Sequence, residues 1–384
     1  MAPSRRSAVP SFSVMDVLAR ADALRAQGRS VLTLCVGEPG GGAPAPVRAA
    51  AVAALAGDLG YTQVQGLPAL REAVAGHCAA RYGVAVDPAR ILMTTGASGA
   101  VLAAVVAAFD AGDRVAVASP GYPAYRNALA ALGCEVVDVA AGPDARYALT
   151  LEALRETHAR GPLAGVVIAS PSNPTGTLTT ELPAILAWCR EQGVRCVSDE
   201  IYHGIVYDGA VAATAAGDPA ALTIGSFSKY WGMTGWRLGW LVMPPDLARA
   251  TADIAGNLAL CAPVPAQHAA LAAFDPASYV ECDARVAALA GTREVLLAAA
   301  PSLGFTRVAP VDGAFYLWAE IGAAGLDSPT WCERLLADTG VALAPGTDFD
   351  LVDGERWVRL SFSPGREVVA AACERIAEWN YHRR

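Results

Sequence analysis

The sequence predicts an α/β fold: a large domain with a mostly parallel seven-stranded sheet covered by helices, and a smaller α+β domain formed by both chain ends. Three observations lead there. Seven short apolar runs lie between about residues 90 and 245. Most are hydrophobic throughout rather than alternating, as strands covered on both faces must be. Eleven to twenty-four residues separate neighbouring runs, enough for a crossover helix between parallel strands.

In chain order, a helical pattern at 13–27 sits in an N-terminal arm, residues 1–45, that is expected to pack with the C-terminal tail. The large domain is expected over 46–275. Its strands read as ILMTT (91–95), VAVAS (115–119), CEVVDVA (134–140), GVVIAS (165–170), RCVSDE (195–200), LTIGS (222–226) and LGWLVM (238–243). The longest apolar run, Ala100 to Phe109, is too short to span a bilayer and reads as a buried helix. From about 276 to 301 the pattern suggests one long linking helix, which opens the small domain, 276–384. Short strands around FYLWAEI and WVRLSFS follow, then a closing helix from Arg366 to Trp379.

Composition narrows the function. The chain has 384 residues, is 54% hydrophobic and carries a formal net charge of −8, which provides a large core and no basic face for nucleic acid. The start of the chain lacks the apolar core of a secretory signal, and no membrane partner is expected. Nine cysteines without a C-x-x-C pair suit a reducing cytoplasm better than a disulfide framework or a zinc site. The five histidines show no metal-ligand spacing, so no metal is expected.

One feature of composition is sharper. Of 29 lysines and arginines, a single residue, Lys229, is lysine. A GC-rich coding bias accounts for the missing lysines but not for the one retained. Arginine serves on surfaces and in ion pairs, yet it forms no reversible imine with an aldehyde. Lys229 is therefore a candidate for amine chemistry. It also closes an S-x-x-K spacing with Ser226, as in penicillin-recognising enzymes, but their K-T-G strand needs a second lysine, and there is none.

A lysine that condenses with an aldehyde cofactor needs an anion for the pyridine nitrogen, a phosphate cradle, a contact to the phenolic oxygen and a ring clamp. Asp199, ending RCVSDE, can supply the anion, although an ordinary helix cap is the plain alternative. TTGASGA (94–100) runs strand, glycine turn, helix start, and its free N–H groups with Ser98 suit a dianion. Ser226 and Arg237 flank the lysine and can complete that cradle. Tyr122 in SPGYPAY can stack on a ring, or merely fill a turn. Asn173 in SPSNPTG lies in a turn under any reading.

Together these pieces resemble the fold-type I pyridoxal-phosphate enzymes, specifically the class I/II aminotransferases. The resemblance runs in order through VGEP (36–39), YTQVQGLPALREAVA (61–75), TTGASGA, SPGYPAY, SPSNPTG, SDEIY (198–202), GSFSKYWGMTGWRLGW (225–240), GAFYLW (313–318) and VRLSFS (358–363). It implies pyridoxal 5′-phosphate as cofactor, bound through an imine on Lys229, which then shuttles the proton. It implies Asp199 at the pyridine nitrogen, Tyr202 and Asn173 at the phenolic oxygen, and Tyr122 on the ring. Ala97, Ser98, Ser226 and Arg237 would hold the phosphate, joined by Tyr61 from the other subunit of a homodimer. Arg359, helped by Gly37 and Asn173, would bind the α-carboxylate of an L-amino acid or 2-oxo acid substrate. Transfer between the two would be ping-pong.

Two departures stand out. GEPGGGAPAP (37–46) has glycines where the family often has an acidic and an aromatic residue, implying a looser lip over the site. Cys261 falls in a stretch where relatives often place a hydroxyl for the partner's phosphate. No second arginine for a distal carboxylate is evident. The alternative activity is another pyridoxal reaction on this fold, a C–S β-lyase or cyclase, which would use the same lysine, aspartate and arginine. A transcription regulator would need a DNA-binding module before the G-E-P segment, and fewer than 40 residues stand there. An inactive relative is disfavoured because every position around the cofactor is filled.

Overall fold

The computed structural model describes residues 4–322 and 325–381. Its main sheet consists of β1 (Ile91–Thr94), β2 (Arg114–Ser119), β3 (Glu135–Ala140), β4 (Gly165–Ala169), β5 (Arg195–Asp199), β6 (Leu222–Ser226) and β7 (Gly239–Val242), in the order β1-β7-β6-β5-β4-β2-β3. Every neighbouring pair is parallel except those made by β7, which runs antiparallel to both β1 and β6. The reversal follows from the connection. Between β6 and β7 the chain forms only a three-residue 3-10 turn, Thr234–Trp236, rather than a crossover helix, and so returns beside the strand it left. Strands β1, β6 and β7 are buried along their whole length, while edge strand β3 is largely open to solvent on one side. Apart from β3, the apolar runs became strands hydrophobic throughout because helices cover both faces and leave no side to alternate.

On one face lies α2 (Gly96–Ala108), whose Ala100, Ala103, Ala104 and Val105 pack on Leu92, Val115, Val117 and Leu241. On the other, the helices Leu151–Arg160 and Leu182–Gln192 set Leu154, Ile185 and Trp188 against Ala116, Val166 and Ile168. Each fully buried aliphatic side chain of this kind contributes about 1.5–3 kcal/mol. The expected buried helix from Ala100 to Phe109 is present with different bounds. The helix begins earlier, at Gly96, and Phe109 lies beyond its end. Leu102 and Val106 are 40% and 37% exposed, and Leu102 lines a cavity.

Beyond the helix α4 (Pro276–Ala299), an antiparallel sheet is built from β8 (Tyr316–Glu320), β9 (Ala344–Pro345) and β10 (Trp357–Ser361), with β10 in the centre. Near the start of the chain, Leu32–Thr33 pairs in parallel with Val341–Ala342, which ties the first residues to the last third. The N-terminal helix α1 (Ser13–Ala26) follows the same course, and the closing helix runs Arg366–Tyr381. Among the described residues no helix is long and apolar enough to cross a membrane, and no cluster of metal-ligating side chains occurs.

Candidate active site

The parallel strands β4, β5 and β6 end side by side, with Asp199 in register with Ala169 and Ile224. Ligand groups in such sheets gather at these carboxyl ends. A cavity of about 510 Å³ opens there, closed on its far side by residues of α1, β8 and β10. It is lined by Gly37, Ala97, Ser98, Tyr122, Asn173, Asp199, Tyr202, Lys229, Arg237 and Arg359, ten of the twelve residues singled out in the sequence.

Lys229 follows β6, and its Nζ donates to the Gly37 carbonyl at 2.6 Å. Burial, then the Arg359 charge, lower its pKa to about 8, so near neutral pH a useful fraction of the amine is uncharged. Gly37 has to be glycine, since a Cβ there would lie 1.6 Å from Tyr316 Oη. Glu38 anchors the same turn by accepting from Thr234 Oγ1 at 2.6 Å.

Asp199 ends β5 and is fully enclosed. Tyr125 Oη donates to its Oδ2 at 2.6 Å and the Ile201 N–H to its Oδ1 at 3.0 Å. Burial raises its pKa to about 6, while these two hydrogen bonds restrain the rise. The result is a carboxylate that gains from a cation beside it. Tyr202 and Tyr316 share a hydrogen bond between their hydroxyls, 2.8 Å, and burial raises both phenols.

Arg359, in the centre of β10, is buried between the rings of Tyr316 and Phe349, 4.5 and 4.6 Å from its guanidinium carbon. Its Nη1 donates to Asn173 Oδ1 at 2.8 Å and its Nη2 to the Cys35 carbonyl at 2.5 Å, and its Nε has no partner. A buried, incompletely paired guanidinium on a cavity wall is a binding site for a carboxylate.

A second anion site lies at α2. Gly96 takes φ +66 and turns the chain from β1 into the helix, whose first N–H groups, at Gly96, Ala97 and Ser98, have no intrahelical acceptor. Antiparallel β7 starts opposite Thr94, in register at Gly239, and so brings Arg237 alongside. A Cβ on Gly96 would stand 2.5 Å from the Arg237 guanidinium. Helix dipole and guanidinium therefore converge on one spot, as a phosphate dianion requires.

Tyr122, just before α3 (Pro123–Leu132), stands edge-on to Tyr125, with centroids 5.4 Å apart. Two expected residues lie elsewhere. Ser226 does not line the cavity: it is buried at the end of β6, where its Oγ donates to Ser228 Oγ and accepts the Ser228 N–H, at 3.0 and 3.1 Å. Ser228 is the one that lines the cavity. A strand alternates its side chains, and the turn after it re-aims the next hydroxyl, which spacing alone does not reveal. Tyr61 is 83% exposed and does not line this chain's own cavity. Cys261 is partly exposed and does not line it either. Gly40 to Gly42 are also not among its lining residues; Gly41 and Gly42 pack near Arg285 and Gly232. Sequence reasoning missed Tyr125, Ser228 and the contribution of α1; of three aromatic residues that suit a neutral side chain, Trp231, Trp236 and Tyr316, only Tyr316 lines the cavity. Tyr125 had a legible signal, three residues after Tyr122 at a helix start.

Comparison with known proteins identifies the family and the fold. The family model for aminotransferase class I and II matches residues 29–376. The valine–pyruvate aminotransferase of Mycobacterium tuberculosis is 49% identical over 97% of each chain. The aspartate/prephenate aminotransferase of Thermus thermophilus is 33% identical, again over 97% of each. The crystal structure of an aminotransferase from Mycobacterium tuberculosis superposes with a TM-score of 0.96 at 47% identity, covering 99% of both chains. The aspartate aminotransferase from Thermus thermophilus with maleate gives 0.91 at 32% identity, covering 98% of this chain and 99% of that one. The chain belongs to the class I and II aminotransferase family and is a transaminase, moving an amino group from an amino acid to a 2-oxo acid.

Proposed function

We propose that this transaminase works with pyridoxal 5′-phosphate on L-amino acids whose side chains are uncharged. The observation that carries this reading is the convergence of three features on one cavity: the sole lysine, a buried carboxylate in need of a cation, and an anion cradle at α2 with Arg237. These suit the cofactor's aldehyde, ring nitrogen and phosphate respectively. When bound, the cofactor supplies an aldehyde that condenses with amines and a ring that accepts electron density from the substrate Cα.

The chain's own groups then have definite tasks. Lys229 Nζ holds the cofactor and afterwards carries the proton at the substrate Cα, helped by a pKa already near 8. Asp199 holds the ring-nitrogen proton. Tyr202 and Asn173 hydrogen-bond the phenolic oxygen, and Tyr122 covers the ring. Ala97, Ser98 and Arg237 bind the phosphate, with Ser228 facing the cavity and Ser226 fixing Ser228 from behind. Arg359, oriented by Asn173 and the Cys35 carbonyl, takes the α-carboxylate, with Gly37 beside it.

A homodimer is part of the proposal. Tyr61 is free to reach a partner, and Val52, Leu55, Leu258 and Leu260 expose 72%, 64%, 60% and 47% of their surface. Cytoplasmic placement is supported by nine cysteines that are all unpaired. The arm (1–45), large domain (46–275) and small domain (276–384) remain our division of the chain, supported by the pairing of Leu32–Thr33 with Val341–Ala342. The relative named a valine–pyruvate aminotransferase supports an aliphatic donor and pyruvate as acceptor.

The test is to supply protein and pyridoxal phosphate with a panel of amino acids, each with pyruvate or 2-oxoglutarate, and to identify the products. New oxo acid and new amino acid in equal amounts, with parallel initial-rate lines, are expected. Release of ammonia or a thiol that needs no oxo acid acceptor would refute the transamination chemistry proposed for these residues.

A further inference from the structure

Resting on that reading, the next question is what reads the substrate side chain. Three cations and two anions line the cavity: Lys229, Arg237, Arg359, Asp199 and Asp348. The three cations have tasks already, at the cofactor, its phosphate and the α-carboxylate. None is left among the described residues for a second carboxylate. Of the anions, Asp199 is held by Tyr125 and Ile201. Asp348 alone could attract a basic side chain, and its carboxylate is also engaged: Oδ1 accepts the Ser13 N–H at 3.0 Å and Oδ2 the Val14 N–H at 3.1 Å.

Those two N–H groups open α1. The helix has no cap of its own, because Phe12 occupies the capping position and offers no acceptor. It is also weakly held, with Ala21 as its one buried residue. The carboxylate that caps it comes from a position 335 residues further along the chain. Asp348 precedes Phe349, whose ring lies on the Arg359 guanidinium. The cap thus fixes α1 next to the carboxylate site. From α1 and its lead-in, Phe12, Val14, Met15 and Leu18 face the cavity, and Val14 and Leu18 pack on the cluster that includes Cys35 and Phe349. A substrate gripped by Arg359 meets an apolar wall.

We propose that Asp348 is the positioning residue for substrate selection: by capping α1 it holds the Phe12–Val14–Met15–Leu18 wall over the cavity, spends its own charge in doing so, and reserves the site for apolar side chains. Aliphatic amino acids gain contact with the wall. Aspartate and glutamate bring a carboxylate for which this chain's own lining keeps no free cation, and arginine and lysine bring a cation to an anion already paired with backbone. Leaving a charge unpaired there costs far more than a lost methylene contact.

The experiment uses the full-length holoenzyme and compares wild type with Asp348→Asn, Asp348→Ala and Ser13→Pro. Proline at the first helical position keeps the helix and deletes one donor to Asp348. Wild type should turn over valine, leucine and methionine at least about 100-fold more efficiently than aspartate or arginine. Asp348→Ala should raise KM for the aliphatic substrates about 5- to 10-fold with a much smaller change in kcat, and Asp348→Asn and Ser13→Pro should fall between. In parallel, amide hydrogen exchange of residues 12–20 should speed up about 5- to 10-fold in Asp348→Ala while that of β5 and β6 stays as in wild type. Arginine or lysine as preferred substrates, lost on Asp348→Asn, would mean that Asp348 binds substrate directly and would overturn the proposal. Unchanged KM, or unchanged exchange of residues 12–20, would also overturn it. If no amino acid is transaminated, the functional reading fails instead, and the exchange result still decides whether the cap exists.

Discussion

Replacing Tyr125 by phenylalanine tests how the fold keeps Asp199 ionised. The tyrosine hydroxyl gives a 2.6 Å hydrogen bond to a carboxylate that burial has already raised to about 6. A hydrogen bond to a charged group contributes about 1.5–3 kcal/mol, so its loss moves the ionisation midpoint up by about one to two pH units. At pH 7 the wild-type carboxylate is then about nine-tenths ionised, and in the variant between about one-half and one-tenth. The assay is titration of apoprotein with pyridoxal phosphate from pH 5 to 9, which needs no turnover. The ratio of variant to wild-type affinity should fall about 2- to 10-fold at pH 7 and return towards one at pH 9. A uniform loss at every pH would show that Tyr125 only packs. An unmoved midpoint would show that the hydrogen bond carries no weight on Asp199. Either outcome refutes the reasoning.

Three further outcomes follow from the same geometry. The folded pKa of Asp199 lies above its unfolded value of 3.8, so its contribution to stability is whole below about pH 4 and is lost as pH rises through about 6. Asp199→Asn should therefore make the apoprotein more stable than wild type by up to about 3 kcal/mol at pH 8, with no advantage at pH 4, as read by denaturant titration. Lys229→Ala should lower transamination by about 10²–10⁴-fold or more, and borohydride reduction should leave no cofactor on the variant protein, since no second lysine can substitute. Gly96→Ala forces a Cβ to 2.5 Å from Arg237 at a positive φ, at a cost of about 1–2 kcal/mol. Its cofactor affinity should fall about tenfold, while Gly99→Ala, whose nearest contact is 3.5 Å, should not.

Local pattern determined much of this protein. Uninterrupted apolar runs identify strands covered on both faces, and the positions just after them fix where Lys229, Asp199 and Ser98 must gather, because parallel strands end together. The lone lysine in an arginine-rich chain pointed to amine chemistry before any contact was known. Ser226 shows where that reasoning stops: spacing cannot tell which of two serines the turn after β6 aims into the cavity, and the fold uses Ser228. Helix α2 shows it again, since an alanine-rich run does not tell which of its side chains meet open space, and in the fold Leu102 lines the cavity. Only the tertiary structure decided that Tyr125 holds Asp199, that Arg359 rests on Asn173 and Cys35, and that Asp348 caps α1 from 335 residues away. Those partners are far apart in sequence, so no local period or spacing encodes them. They meet because β7 turns back antiparallel and because the first strand of the chain, Leu32–Thr33, pairs with Val341–Ala342.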